Sequence, residues 1–133
     1  MYKVTVEQAI VEAFRSVPTG NKKSVILSGS KEGPYSVMAV VVDNVLSKAE
    51  VHDESADIWH VVNGEAIFMI GGEVENPTLH KSKEWVADSI RGGIEYPVKP
   101  GDVIDIPPGT PHQIDARGRR AEFIIVKVDN IKS

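Results

Sequence analysis

Gly101-Asp102-Val103-Ile104-Asp105-Ile106-Pro107-Pro108-Gly109-Thr110-Pro111-His112 is the stretch whose reading decides the fold. Pro100-Gly101-Asp102 has the composition of a turn, residues 103–106 form an apolar strand, and Pro107-Pro108-Gly109 turns the chain sharply. His112 then opens the next strand. With a side-chain period of two, Ile114 and Ala116 share its face, while Gln113 and Asp115 take the other. Working outward, the same grammar recurs. Residues 25–27, 35–42, 45–52, 58–62, 94–98, 112–116 and 121–128 read as strands between turn residues. Asn63-Gly64 is a two-residue hairpin signal, from which residues 65–70 return. Short strands at such regular spacing predict an all-β sandwich or barrel. The more polar stretch 71–93 reads as a long loop with one helical turn near residues 84–88.

One helix precedes the strands. Thr5 with Gln8 three positions later forms a capping box. Val6, Ala9, Ile10, Ala13, Phe14 and Val17 recur at helical spacing until Pro18 and Gly20 stop them, predicting a helix over about residues 6–16. The chain of 133 residues reads as a single domain, residues 1–133, with the barrel over about 24–128.

Composition removes several function classes. Lys plus Arg number 15 against 19 Asp plus Glu, a net charge of −4, which argues against a nucleic-acid partner. With no cysteine there are no disulfides, thiolate metal sites or cysteine nucleophile, and the cytoplasm is the simplest location. The longest apolar run, residues 37–42, is far short of the roughly 20 that span a bilayer, so no membrane role is expected.

The opening stretch reads G-x5-P-x-G-x2-H without a gap, which resembles the second conserved motif of the cupin superfamily. The first cupin motif, G-x5-H-x-H, three or four residues, then E-x6-G, is matched in spacing with altered identities. Anchored on Gly64, it places Asp57 at the glutamate, His52 at the second histidine, Glu50 at the first and Asn44 at the opening glycine. The resemblance covers about residues 36–128 and implies a double-stranded β-helix, the cupin or jelly-roll barrel, behind a short N-terminal α-helix. A further likeness, to small cupins with a hairpin like residues 56–64 and a loop like residues 89–93, brings no activity with it.

The resemblance implies one divalent metal ion at His52, Asp57, His112 and Glu50. Glu50 and His52 share a strand face, as two ligands of one ion must. Imidazole and carboxylate suit Fe, Mn, Ni, Co or Zn. Glu50 has three readings: a ligand, a catalytic base beside the metal, or a residue at the barrel mouth. Asp57 is either a ligand or a hairpin-flanking surface aspartate. Trp59 packs the core or lines the substrate wall, and Arg91 beside Gly92-Gly93 either clamps a substrate anion or is a solvated loop arginine. His60 faces outward by parity. His80 lies in the polar loop, solvated or folded over the site. Tyr96, Lys99 and Asp105 are further candidates for the pocket.

Two functions follow. One is a metal-dependent enzyme, of dioxygenase, isomerase, lyase or dehydratase type, acting on a small polar molecule bearing carboxylate or hydroxyl groups. The other is a non-catalytic binding or sensor module, which the altered first motif favours. Small cupins commonly pair through an edge strand, and Ile58 and Val62 offer apolar outer positions, so a homodimer is expected.

Overall fold

In a computed structural model, which describes residues 2–131, the chain forms one helix and thirteen strands. They are α1 (Glu7–Arg15), β1 (Lys22–Gly29), β2 (Tyr35–Asp43), β3 (Ala49–His52), β4 (Ala56–Gly64), β5 (Ala66–Ile70), β6 (Glu73–Val74) and β7 (Thr78–Lys81). After these come β8 (Glu84–Ala87), β9 (Ile90–Arg91), β10 (Ile94–Val98), β11 (Val103–Ile106), β12 (His112–Asp115) and β13 (Arg120–Val128). Five strands make one antiparallel sheet in the order β1-β2-β13-β4-β11, and six make a second, β10-β5-β12-β3-β8-β7. β6 and β9 pair separately.

The core lies between the two large sheets. Trp59, Phe68 and Phe123 meet edge to face at ring-centroid distances of 5.0, 5.1 and 6.1 Å, with Val40, Val42, Ile106 and Ile114 around them. Edge-to-face contact sets the positive rim of one ring against the negative face of the next. β2 is buried on both faces because α1 covers its back. Ala13, Phe14 and Val17 pack on Ala39 and Val41, while Val40 and Val42 face the barrel interior. Burying a side chain such as Phe14 contributes ~1.5–3 kcal/mol, so the helix is part of the domain's stability. No helix among the described residues is long and apolar enough to cross a membrane.

Four local expectations fail. The helix N-cap is Val6, extended and without a side-chain cap bond, so Thr5 closes no capping box. Asn63-Gly64 is not a hairpin, because β4 pairs with β13 and β11 and β5 pairs with β10 and β12. The chain there crosses from one sheet to the other. Gly64, at φ +76°, is paired with Ala121, and a Cβ on it would lie 1.9 Å from the Arg120 carbonyl oxygen. The dipeptide signals a left-handed backbone at a close approach, which a hairpin is only one way to use. The stretch 71–93 is not a loop: β6, β7, β8 and β9 occupy most of it, and the helical turn expected near 84–88 is strand β8. Finally, residues 45–52 shorten to β3, preceded by a lone bridge between Leu46 and Asp115.

Of the two apolar positions expected on the outside, Ile58 is 40% exposed, whereas Val62 packs against the cluster beneath the helix.

Candidate metal centre

Strand register brings the polar groups together. In β3, Glu50 and His52 are two residues apart on one face. His112, first residue of β12, is the direct cross-strand partner of Glu50, and Glu84 of β8 is that of His52. Asp57 reaches in from β4 in the other sheet, where its cross-strand partner is Lys127. One ligand atom each from Glu50, His52 and His112 lies within 4.8 Å of the other two. The imidazole centroids are 4.9 Å apart.

The turn before His112 fixes both histidines. Gly109, in the left-handed region, donates its backbone N–H to the His52 carbonyl at 2.8 Å. His112 Nδ1 then donates to the Thr110 carbonyl at 3.1 Å, and His52 Nδ1 donates to Glu84 Oε2 at 2.5 Å. With both Nδ1 atoms engaged by acceptors, the neutral form of each ring keeps its lone pair on Nε2. Neither Nε2 has a hydrogen-bond partner, although both are buried. Asp57 Oδ2 sits 3.1 Å from His52 Nε2 and 3.9 Å from His112 Nε2, the first close enough for a hydrogen bond but not aligned as one. Asp57 Oδ1 is also unpartnered.

Buried polar atoms without partners are costly, at roughly 1–3 kcal/mol each. A cation shared by Glu50, His52 and His112, with Asp57 at its edge, would satisfy them together. Nδ1 held by a carboxylate or a backbone carbonyl is the arrangement that orients ligating histidines. The donor set therefore fits a divalent transition ion.

Electrostatics divides the two histidines. Burial, then the charge of His52, holds His112 below the ordinary imidazole value, so it is neutral. Burial also opposes charge on His52, but Asp57 and Glu84 outweigh it and raise the imidazolium pKa to about 9. For Asp57 and Glu50 burial is likewise outweighed, by His52 and Lys127 in one case and by Lys22 and both histidines in the other, and both lie below the usual carboxylate range. His52 and Lys127 pull Glu84 down to about 2 against its burial.

A cavity of about 630 Å³ opens on this centre. Glu50, His52, Asp57 and Glu84 form its polar end, Trp59, Met38, Val40 and Ile125 an apolar wall, and His112 is not part of the lining. Trp59 thus both packs the aromatic core and lines the cavity, with its indole N–H unpartnered.

Other candidates lie elsewhere. Arg91 is exposed on β9, pairs with Glu73 at 3.1 Å and stands outside the lining of this cavity. Tyr96, Lys99 and Asp105 are also outside its lining. His60 is exposed, as parity predicts, and His80, on β7 rather than in a loop, lines the cavity. Glu84 and Lys127 are the residues that sequence reasoning missed. Asn44, at the position of the first motif's glycine, has φ +47°, so a residue that tolerates the left-handed region stands where the motif has glycine.

No protein-family model and no curated protein matches the chain. Solved structures do. An uncharacterised conserved protein with a double-stranded β-helix domain from Klebsiella pneumoniae aligns over 100% of this chain and 95% of its own, at 18% identity and TM-score 0.68. A cupin-like protein from Thermotoga maritima aligns over 83% and 70%, at 21% identity and TM-score 0.59. The DMSP lyase DddQ from Ruegeria pomeroyi aligns over 84% of this chain but 49% of its own, at 15% identity and TM-score 0.59. This chain thus spans about half the length of that lyase. The protein has the cupin-type double-stranded β-helix fold, and its Glu50, His52 and His112 form a group that can hold a metal ion.

Proposed function

We propose that the protein is a metal-dependent enzyme that acts on a small, polar, carboxylate- or hydroxyl-bearing molecule inside the barrel. The observation that carries this reading is the pair of buried, unpartnered Nε2 atoms of His52 and His112, grouped with Glu50, of which Glu50 and His52 line a cavity. The ion would be Fe, Mn, Ni, Co or Zn, and when bound it would polarise a substrate oxygen or acidify a water. His52 and His112 hold it, and Glu84 and the Thr110 carbonyl orient them. Glu50, half-buried and facing the cavity, either completes the ligand set or takes a proton from the substrate. Trp59 and Met38 supply a surface that excludes water from one side of the cavity. A lyase built on the same barrel is compatible with an elimination, but at 15% identity the likeness supports the fold and not the reaction.

One observation favours a binding module instead. Asp57 and Glu84 flank His52 and can stabilise its imidazolium without any metal. Elemental analysis of protein purified without added metal separates the two readings. Close to one transition ion per chain is expected, lost in the His52→Ala/His112→Ala double variant. Metal-free wild type that takes up no added divalent ion would overturn the proposal.

A further inference from the structure

We infer that the molecule received by this barrel is a small organic anion with at least two acidic groups, one directed to the metal end and the other held by a collar of lysines at the mouth. The inference rests on the metal-site reading above and specifies its substrate class. The chain is acidic overall, yet six of the nine lysines among the described residues line this one cavity, against four carboxylates. Two of the six are occupied inside it. Lys22 contacts Glu50 at 3.1 Å and Lys127 contacts Glu84 at 2.9 Å. Lys48 pairs with Asp88, an exposed residue outside the lining. Lys23, Lys31 and Lys81 are exposed and have no ion pair among the described residues.

Topology explains how they meet. Lys23 lies on β1, the edge of the five-stranded sheet, and Lys31 in the turn that follows it. Lys81 ends β7, the edge of the six-stranded sheet. All three line the same cavity, so the collar draws on the edges of both sheets. Gathering like charges around one cavity costs stability unless something of opposite sign resides there, and low-dielectric walls focus such a field into the opening. The apolar side formed by Met38, Val40 and Ile125 is such a wall.

An ion at Glu50, His52 and His112 would take one anionic group, and the collar would hold the second anionic group at the mouth. A monoanion or a neutral molecule of similar size would leave the collar unused.

The test uses Mn²⁺-loaded protein and four probes, acetate, malonate, succinate and glutarate, in calorimetric titrations, with metal content measured on the same samples. The best of the three dicarboxylates is expected to bind at least about tenfold more tightly than acetate, the effect of one added charge-assisted contact. Lys31→Ala/Lys81→Ala should remove most of that preference while leaving acetate binding and metal content unchanged. Lys99→Ala, outside this cavity, should change nothing. Full metal content with equal affinity for acetate and all dicarboxylates, no binding of any probe, or an undiminished preference in the double lysine variant would each overturn the collar alone. Wild type that holds no Mn²⁺ would overturn both the collar and the metal reading.

Discussion

The two histidines of the centre are held in opposite ways. His112 is positioned by its own neighbourhood: the turn through Gly109 leads into it, and its Nδ1 is met by the carbonyl of Thr110, two residues earlier. His52 is positioned by distant groups. Glu84 lies 32 residues away, Lys127 holds Glu84 across a further 43, and Asp57 comes from the opposite sheet. The local frame needs only backbone atoms, and burial, with the charge of His52, keeps that imidazole below its ordinary value. The dispersed frame uses charged side chains, of which Asp57 and Glu84 outweigh burial and favour an imidazolium that a metal must deprotonate. The first is close to a fixed part of the fold, and the second is where substitutions can tune the site.

The largest expected effect comes from Glu50, which faces His112 across the strand pair. Glu50→Gln should keep the shape and weaken metal binding by at least ~100-fold, the upper end of what outer-sphere losses cost, because an amide oxygen is a poorer ligand than a carboxylate. Glu50→His should recover it. Normal metal affinity in Glu50→Gln with loss of turnover would make Glu50 a base, and no change in either variant would make it a mouth residue.

Next is the dispersed frame itself. Glu84→Gln should lower metal affinity by ~10–100-fold, by loosening the His52 ring and leaving Lys127 without its partner. Titration with Co²⁺ would measure it. Unchanged affinity would mean that His52 needs no distant support, and the contrast with His112 would disappear.

A smaller effect should appear in the metal-free protein. His52 rises from 6.5 unfolded to about 9 folded, so its contribution to stability is full below pH 6.5 and is lost as pH climbs through 9. Glu84 falls from 4.5 to about 2, so its contribution is present above pH 4.5 and is lost as pH drops through 2. Together they contribute fully between about pH 4.5 and 6.5. Melting temperatures measured in chelator should therefore decline from pH 6.5 towards 9, and Glu84→Gln should flatten that decline. Equal slopes in wild type and variant would remove the pair as its cause.

The same contrast explains what could be read in advance. His112 was legible because its whole frame is one ungapped stretch, and Glu50, His52 and Asp57 followed by counting back from Gly64. Asn44 fitted the count despite its changed identity, because the position asks for a left-handed backbone and asparagine tolerates one. Glu84 was missed because its role depends on β8 pairing with β3, and the surrounding stretch looked polar enough to be a loop. The apolar pair Trp85-Val86 between Glu84 and Ala87 was the available sign of a strand. Asn63-Gly64 misled because it specifies a backbone angle and says nothing about which strands pair. The lysines around the cavity left no local trace at all, since Lys23, Lys31 and Lys81 are far apart in the chain and meet only in its lining.

The most direct test of the metal centre is anomalous diffraction from crystals of the purified protein, recorded above and below the absorption edge of whichever ion elemental analysis identifies. One anomalous peak per chain is expected, about 2.0–2.2 Å from Nε2 of both His52 and His112 and within bonding distance of a Glu50 oxygen. A peak at His60 or His80, or none at the His52–His112 pair in crystals whose protein carries the ion, would contradict it.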